Sequence, residues 1–226
     1  MLLSRHLLIA TLYSALAVCP LVYAEQPFVL NIAHMNDTHS KFDPVDATLR
    51  NPALVAEGIH NGTVYTRLGG YPRLLNMAKT LQADARQRNQ ALLTLHGGDA
   101  WQGSGYFKLN EGLANADLLN QFGFDAMVLG NHEFDLNNQK LARFIQAVNF
   151  PMLAANMDAS QEPVLSGIAN LKPFVLFAFD GNQKTVVADI DRLPKGKAVV
   201  AVVGLILEDM SDISPTTGKL RFAKEV

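Results

Sequence analysis

The chain has 226 residues, enough for one good-sized domain with a sizeable core. Nineteen basic and 21 acidic residues give a formal net charge of −2, with 18% charged and 49% apolar residues. That balance excludes a disordered chain and a polybasic arm for a nucleic-acid polymer or anionic lipid, and a single cysteine excludes a disulfide framework or a Cys-type zinc site.

Residues 1–24 read as an export signal. Arg5 and His6 form a short polar start, Leu7 to Val18 is apolar, and Val22-Tyr23-Ala24 supplies the small residues of a cleavage site. A bilayer-spanning helix needs ~20 apolar residues, so an uncleaved anchor fits less well. Cys19 raises a lipoprotein alternative, which Val18 before it and Pro20 after it oppose. Cleavage after Ala24 would remove the one cysteine and leave a chain suited to an oxidising compartment, the periplasm or the outside, with no membrane attachment.

From Glu25 on, strand-like and helix-like runs alternate. Phe28 to Met35 is predicted as a strand. Asp43 to Arg67 reads as an irregular excursion, and Tyr71 to Arg88 as a helix with Leu74, Leu75, Ala78 and Leu81 at helical spacing. Ala91 to Leu95 is a short buried strand, Leu113 to Phe122 a helix, Asp125 to Leu129 a strand, Asn137 to Val148 a helix, and Met152 to Ala155 a strand. Short apolar strands separated by helices predict an α/β fold with a largely parallel, covered sheet. Beyond Asn156 the pattern changes: Pro173 to Phe179 and Thr185 to Asp189 flank Asp180-Gly181-Asn182, a hairpin signal, and Ala198 to Ile206 is a long valine-rich strand.

Polar residues cluster where the predicted strands end. Asp37 and His39 follow the first strand, two apart, so on an extended chain both side chains would emerge on one face. Asp99 follows Gly97-Gly98 after the second. Asn131 and His132 follow Gly130 after the third, with Glu133 and Asp135 next. Ligands of α/β sheets bind beyond the carboxyl ends of strands. Carboxylate, imidazole and amide donors without thiolate suit zinc, manganese, iron or a similar divalent ion. Asp99 is placed to bridge two ions, since a carboxylate has two oxygens to share across ~3.5–4 Å. Two carboxylates against two divalent ions leave a positive centre fit for an anionic ester. His34 and His96 are expected to be core or supporting histidines, His60 solvated, Glu133 a supporting hydrogen-bonding group, and Trp101 and Phe134 packing residues.

His34-Met35-Asn36-Asp37-Thr38-His39, Gly97-Gly98-Asp99-Ala100-Trp101-Gln102-Gly103-Ser104, Gly130-Asn131-His132-Glu133-Phe134-Asp135 and Ala154-Ala155-Asn156-Met157 resemble, in order, the motifs of the calcineurin-like metallophosphoesterases, and within them the secreted bacterial 5′-nucleotidase / UDP-sugar hydrolase family. The resemblance implies a four-layer α/β/β/α sandwich over residues 25–226 with a dimetal site at one edge. By position, Asp37 and His39 would hold one ion, Asp99 would bridge, and Asn131 would hold the second. His132 would contact the phosphate or leaving group, oriented by Asp135. The implied reaction is attack of metal-activated water on a nucleotide phosphomonoester. The family takes further histidine ligands from later in its domain and a base-binding domain after it; none of the six histidines here follows His132, so the chain resembles the first portion of such an enzyme. Two alternatives stand beside the nucleotidase: a related hydrolase of cyclic nucleotides, UDP-sugars or a sulfur ester, and a non-catalytic remnant or binding module of the same fold. The oligomeric state is left open.

Overall fold

A computed structural model describes residues 27–224; the signal reading at 1–24 lies outside the described residues. In chain order the first half runs β1 (Leu30–Met35), β2 (Val45–Arg50), β3 (Thr63–Leu68), α1 (Tyr71–Gln87), β4 (Ala91–His96), α2 (Gly105–Asn110), α3 (Leu113–Leu119) and β5 (Ala126–Val128). It continues with α4 (Asn138–Ala147), β6 (Met152–Leu153), β7 (Met157–Asp158), β8 (Leu171–Lys172), β9 (Phe174–Asp180), β10 (Gln183–Val187), β11 (Ala198–Val203), α5 (Met210–Ile213) and β12 (Arg221–Phe222).

The central sheet has the order β1-β4-β5-β6-β8 and every pairing in it is parallel. Leu30 lies opposite Ala91 and Met35 opposite His96, so the ends of β1 and β4 are level. The side-chain period of two then divides these strands between two cores. Met127 and Met152 join the helices' core with Leu119, Leu141, Phe144 and Ile145. Ala91, Leu93, Ala126 and Leu153 face Val175, Phe177 and Phe179 of a second, antiparallel sheet ordered β10-β9-β11. Helices, parallel sheet and second sheet stack as an α/β sandwich, giving three of the four layers of the predicted α/β/β/α arrangement among the described residues. Among the described residues the only helix after β9 longer than a 3-10 turn is the four-residue α5, and Val203 at the end of β11 is 57% exposed.

Lys184 of β10 ties the two sheets: its ammonium meets the Asp125 carboxylate at 2.5 Å, and the same carboxylate oxygen accepts the Thr94 N–H at 2.8 Å. The predicted hairpin forms, with Asp180 paired to Gln183 across Gly181-Asn182. No helix longer than 17 residues is present among the described residues, and none is long and apolar enough to cross a membrane.

Three expectations need correction. The excursion at 43–67 contains an antiparallel hairpin, β2 with β3, in which Val45, Leu49 and Leu68 are exposed; it joins neither larger sheet, so the alternation that marks a half-buried strand is muted. Leu81, placed on the apolar stripe of α1, is 40% exposed, because the buried line runs through Tyr71, Ala78 and Ala85, seven residues apart. His34 is exposed on edge strand β1, lining a cavity of about 230 Å³ between the sheets with Leu95 and Val202, and is not a core residue.

Candidate functional site

Three loops meet at the carboxyl ends of β1, β4 and β5. β1 stops at Met35, and the chain then turns through left-handed backbone at Asp37 (φ 52°), His39 (φ 43°) and Ser40 (φ 51°). Asp37 and His39 therefore do not come together on an extended strand, as expected from their spacing; the turn brings the His39 Nε2 to 3.4 Å from Asp37 Oδ1. Such backbone is costly for residues other than glycine and persists where surrounding bonds over-determine it. Here they do. The Asp37 N–H donates to the Gly98 carbonyl, His39 N–H to Asp99 and Ser40 N–H to Ala100, all at 2.9–3.0 Å, so the first loop is laced onto the second.

The second loop is pressed equally hard against the third. A Cβ on Gly98, whose φ is 96°, would fall 2.6 Å from the Gly130 nitrogen, and one on Gly130 would fall 2.2 Å from Asp99 Oδ1. Only glycine allows that approach. The His132 N–H donates to Asp99 Oδ1 at 2.9 Å, fixing the aspartate against the start of the third loop, where Asn131 heads the 3-10 turn His132–Phe134.

Glu133 binds the loops from beneath. Its carboxylate has no solvent exposure and accepts four backbone N–H groups: Asp99 and Gly130 on Oε2, Ala100 and Trp101 on Oε1, at 2.8–3.2 Å. Burial pushes its pKa up to about 7, opposed by those same N–H donors. The expected supporting role is thus a specific one: it fixes the backbone that carries Asp99.

Both imidazoles are oriented through Nδ1. His39 Nδ1 donates to the Trp101 carbonyl at 3.1 Å, and His132 Nδ1 meets Asp135 Oδ2 at 2.6 Å. The rings stand edge to face with centroids 5.0 Å apart. In each, Nδ1 is engaged and Nε2 is left to take a metal ion or a proton, as in metal-bound histidines, with the His39 Nε2 facing Asp37 Oδ1. His39, Asp99 and His132 each offer one donor atom, all within 4.8 Å of one another. Partial burial pulls the His132 pKa down, but its hydrogen bond to Asp135 and the charges of Asp135, Asp99 and Glu133 outweigh that, so the net direction is up. The Asn36 amide holds the Asp37 carboxyl below its ordinary range against a small burial penalty, with His39 adding to the effect.

Behind the first loop lies a buried network centred on His96, expected as a core or supporting histidine; its partners Tyr71 and Asn115 carried no sequence signal for the role. The Gly98 N–H donates to His96 Nδ1 at 3.1 Å, which puts the His96 proton on Nε2, facing Thr38 Oγ1 at 3.1 Å; the Tyr71 hydroxyl also reaches Thr38, at 2.9 Å. Burial lowers the His96 pKa to about 4 and raises that of Tyr71 to about 12. Buried Asn115 on α3 donates to the Ala100 carbonyl at 2.6 Å and bonds the Ser40 hydroxyl. An asparagine in a helix carries no sequence signal for such a role. The Asn156 of the fourth motif turns out to be a clip, its side chain bonding both the N–H and the carbonyl of Ile206 and the carbonyl of Ala223.

The donor set, two imidazoles and the Asp99 carboxylate converging at a half-buried site, fits divalent metal. Comparison with known proteins agrees in kind. A profile of the calcineurin-like phosphoesterases matches residues 30–209. The chain is similar to an apyrase of Tabanus yao, 30% identical over 88% of this chain and 30% of the relative. It is also similar to a probable 5′-nucleotidase of Treponema pallidum, 36% identical over 62% of this chain and 22% of the relative. Among solved structures, a 5′-nucleotidase precursor of Thermus thermophilus superposes with a TM-score of 0.64 and 30% identity, covering 85% of this chain and 31% of that one. The chain spans about a third or less of the length of the curated relatives it matches.

Proposed function

Because the chain belongs to the calcineurin-like phosphoesterase family, we propose that it carries phosphate-handling machinery of a 5′-nucleotidase-type hydrolase acting on nucleotide phosphomonoesters outside the cytoplasm. The observation that carries this reading is the convergence of His39, Asp99 and His132 donor atoms within 4.8 Å at the strand ends. The named activities of the relatives support the substrate class.

In this reading Asp37, His39, Asp99 and Asn131 hold two divalent ions, zinc or manganese by the chemistry of the donors. When bound, such ions would supply a strong positive field on the phosphoester and acidify water at the site. The protein's own part is positional. Asp99 is held by the His132 N–H, with its backbone fixed by Glu133. His39 is held in one tautomer by the Trp101 carbonyl. His132, with Nδ1–H on Asp135, presents Nε2 to the phosphate or to the leaving oxygen, and in its protonated form can hand that oxygen a proton; the carboxylate stabilises the charged imidazolium. Residues 1–24 direct export, and residues 25–226 belong to the catalytic domain, its N-terminal portion.

Calorimetric titration with manganese or zinc, paired with phosphate release from AMP, tests this on the protein and its Asp99→Asn variant. The expected result is metal-dependent release by the parent and loss of at least ten-fold in metal affinity together with turnover in the variant. Full metal-dependent turnover by Asp99→Asn would refute the assignment.

A further inference from the structure

Gln102 lies in the second motif, on the loop after β4, and none of the roles above uses it. Its backbone is left-handed (φ 72°), as is that of Gly103 after it (φ 80°). A Cβ on Gly103 would sit 2.5 Å from the His39 carbonyl oxygen, so this turn runs directly against the first loop. From there the Gln102 amide crosses to the third loop and donates to Asp135 Oδ2 at 2.5 Å, the same oxygen that His132 Nδ1 meets at 2.6 Å. The preceding residue supplies the carbonyl that orients His39. Two adjacent residues thus govern both imidazoles, Trp101 through its backbone and Gln102 through its side chain.

We propose that Gln102 is a positioning residue: its amide locks the Asp135 carboxylate and, through it, the His132 ring beside His39 and Asp99. The proposal rests on the phosphoesterase reading for its catalytic consequence, but not for its geometry. The physical case is one of competition with water. The His132 and Asp135 side chains are 34% and 23% exposed, so a carboxylate held by the imidazole alone can rotate toward solvent and carry the ring with it. A second donor on the same oxygen fixes its plane. That is worth the left-handed backbone at Gln102, which brings the amide within reach. The one side-chain bond Gln102 makes goes to Asp135, so its route to the chemistry runs through His132.

The test compares the metal-loaded full chain with Gln102→Leu, which keeps the volume and removes the donor, and Gln102→Glu, which sets a second carboxylate against Asp135. We expect kcat on AMP to fall about ten-fold in the leucine variant and further in the glutamate variant, with KM and calorimetric manganese affinity unchanged. On p-nitrophenyl phosphate, whose phenolate leaves without a proton, the loss should be about three-fold or less. Independently of turnover, 15N spectra of the metal-free protein should show a His132 Nδ1–H resonance that shifts or broadens in Gln102→Leu. Unchanged kcat on AMP with an unmoved ring resonance overturns the proposal. So does an equal loss on both esters with weakened metal binding, which makes Gln102 a support of the fold. Should the parent hydrolyse neither ester, the phosphoesterase reading falls and the ring resonance alone decides: a shift upholds positioning, no shift overturns it. If the leucine variant fails to fold, Gln102→Asn, an amide on a stem too short to reach Asp135, carries the same comparisons.

Discussion

Glu133 is a carboxylate with no access to water, and its worth lies in the four N–H groups that converge on it. Leaving buried donors unsatisfied costs ~1–3 kcal/mol each, which is why the residue tolerates a pKa raised to about 7 by burial. Glu133→Gln is nearly isosteric but turns one acceptor atom into a donor facing N–H groups. We expect a loss of about 2–4 kcal/mol in urea unfolding of the metal-free protein. Metal affinity should fall with it, because the Asp99 backbone loses its anchor. An unfolding midpoint equal to the parent's would show that the four bonds contribute nothing net. Asp37 and Asp99 were legible as candidate residues from type and position alone. The left-handed turn that aims Asp37 and His39 was not, because no local signal announces a backbone held by bonds to residues 98–100.

At the scale of elements, β4 reaches the site through His96, whose ring spans from its own loop to Thr38 between Asp37 and His39. Its pKa is lowered by burial from 6.5 to about 4, so the folded protein holds it neutral while the unfolded chain protonates near 6.5. The unfolded state therefore binds more protons between those values, and stability rises with pH there. The contribution is fully present above pH 6.5 and is lost as pH falls toward 4, on the order of 3 kcal/mol at most. Glu133, raised by burial from 4.5 to about 7, binds its proton more readily in the folded state and opposes this slope. The contribution of His96 is therefore read as a difference: unfolding free energy across this interval should rise less steeply, or fall more steeply, with pH in His96→Gln than in the parent. Equal slopes would remove His96 as the source. The elements themselves were largely readable: α1, β4, α4 and the β9–β10 hairpin fall within a residue or two of their predicted bounds. The short α2, ending at Glu111 in left-handed backbone, was not, since six residues carry too little periodicity to register.

At the scale of the whole molecule, the described residues form two apolar interfaces on the two faces of one parallel sheet, and the smaller of them is sheet on sheet. Phe177, 3% exposed on β9, is buried in that second core with Leu93 and Leu153. Phe177→Ala should cost about 3–5 kcal/mol, read as a lower midpoint in urea with an unchanged slope. A drop under about 1 kcal/mol would mean the second sheet is not part of the cooperative unit. What the amino-acid order determined alone was the alternation of strand and helix, the hairpin, and three polar clusters at strand ends, because periodicity, turn chemistry and residue type are local properties. Only the tertiary structure decided that Tyr71, Asn115 and Gln102 serve those clusters and that, of the two histidines expected as core or supporting, His96 does and His34 does not, because such service depends on atoms 15 to 75 residues away along the chain being brought within 3 Å or so, and no local pattern encodes a distance of that kind.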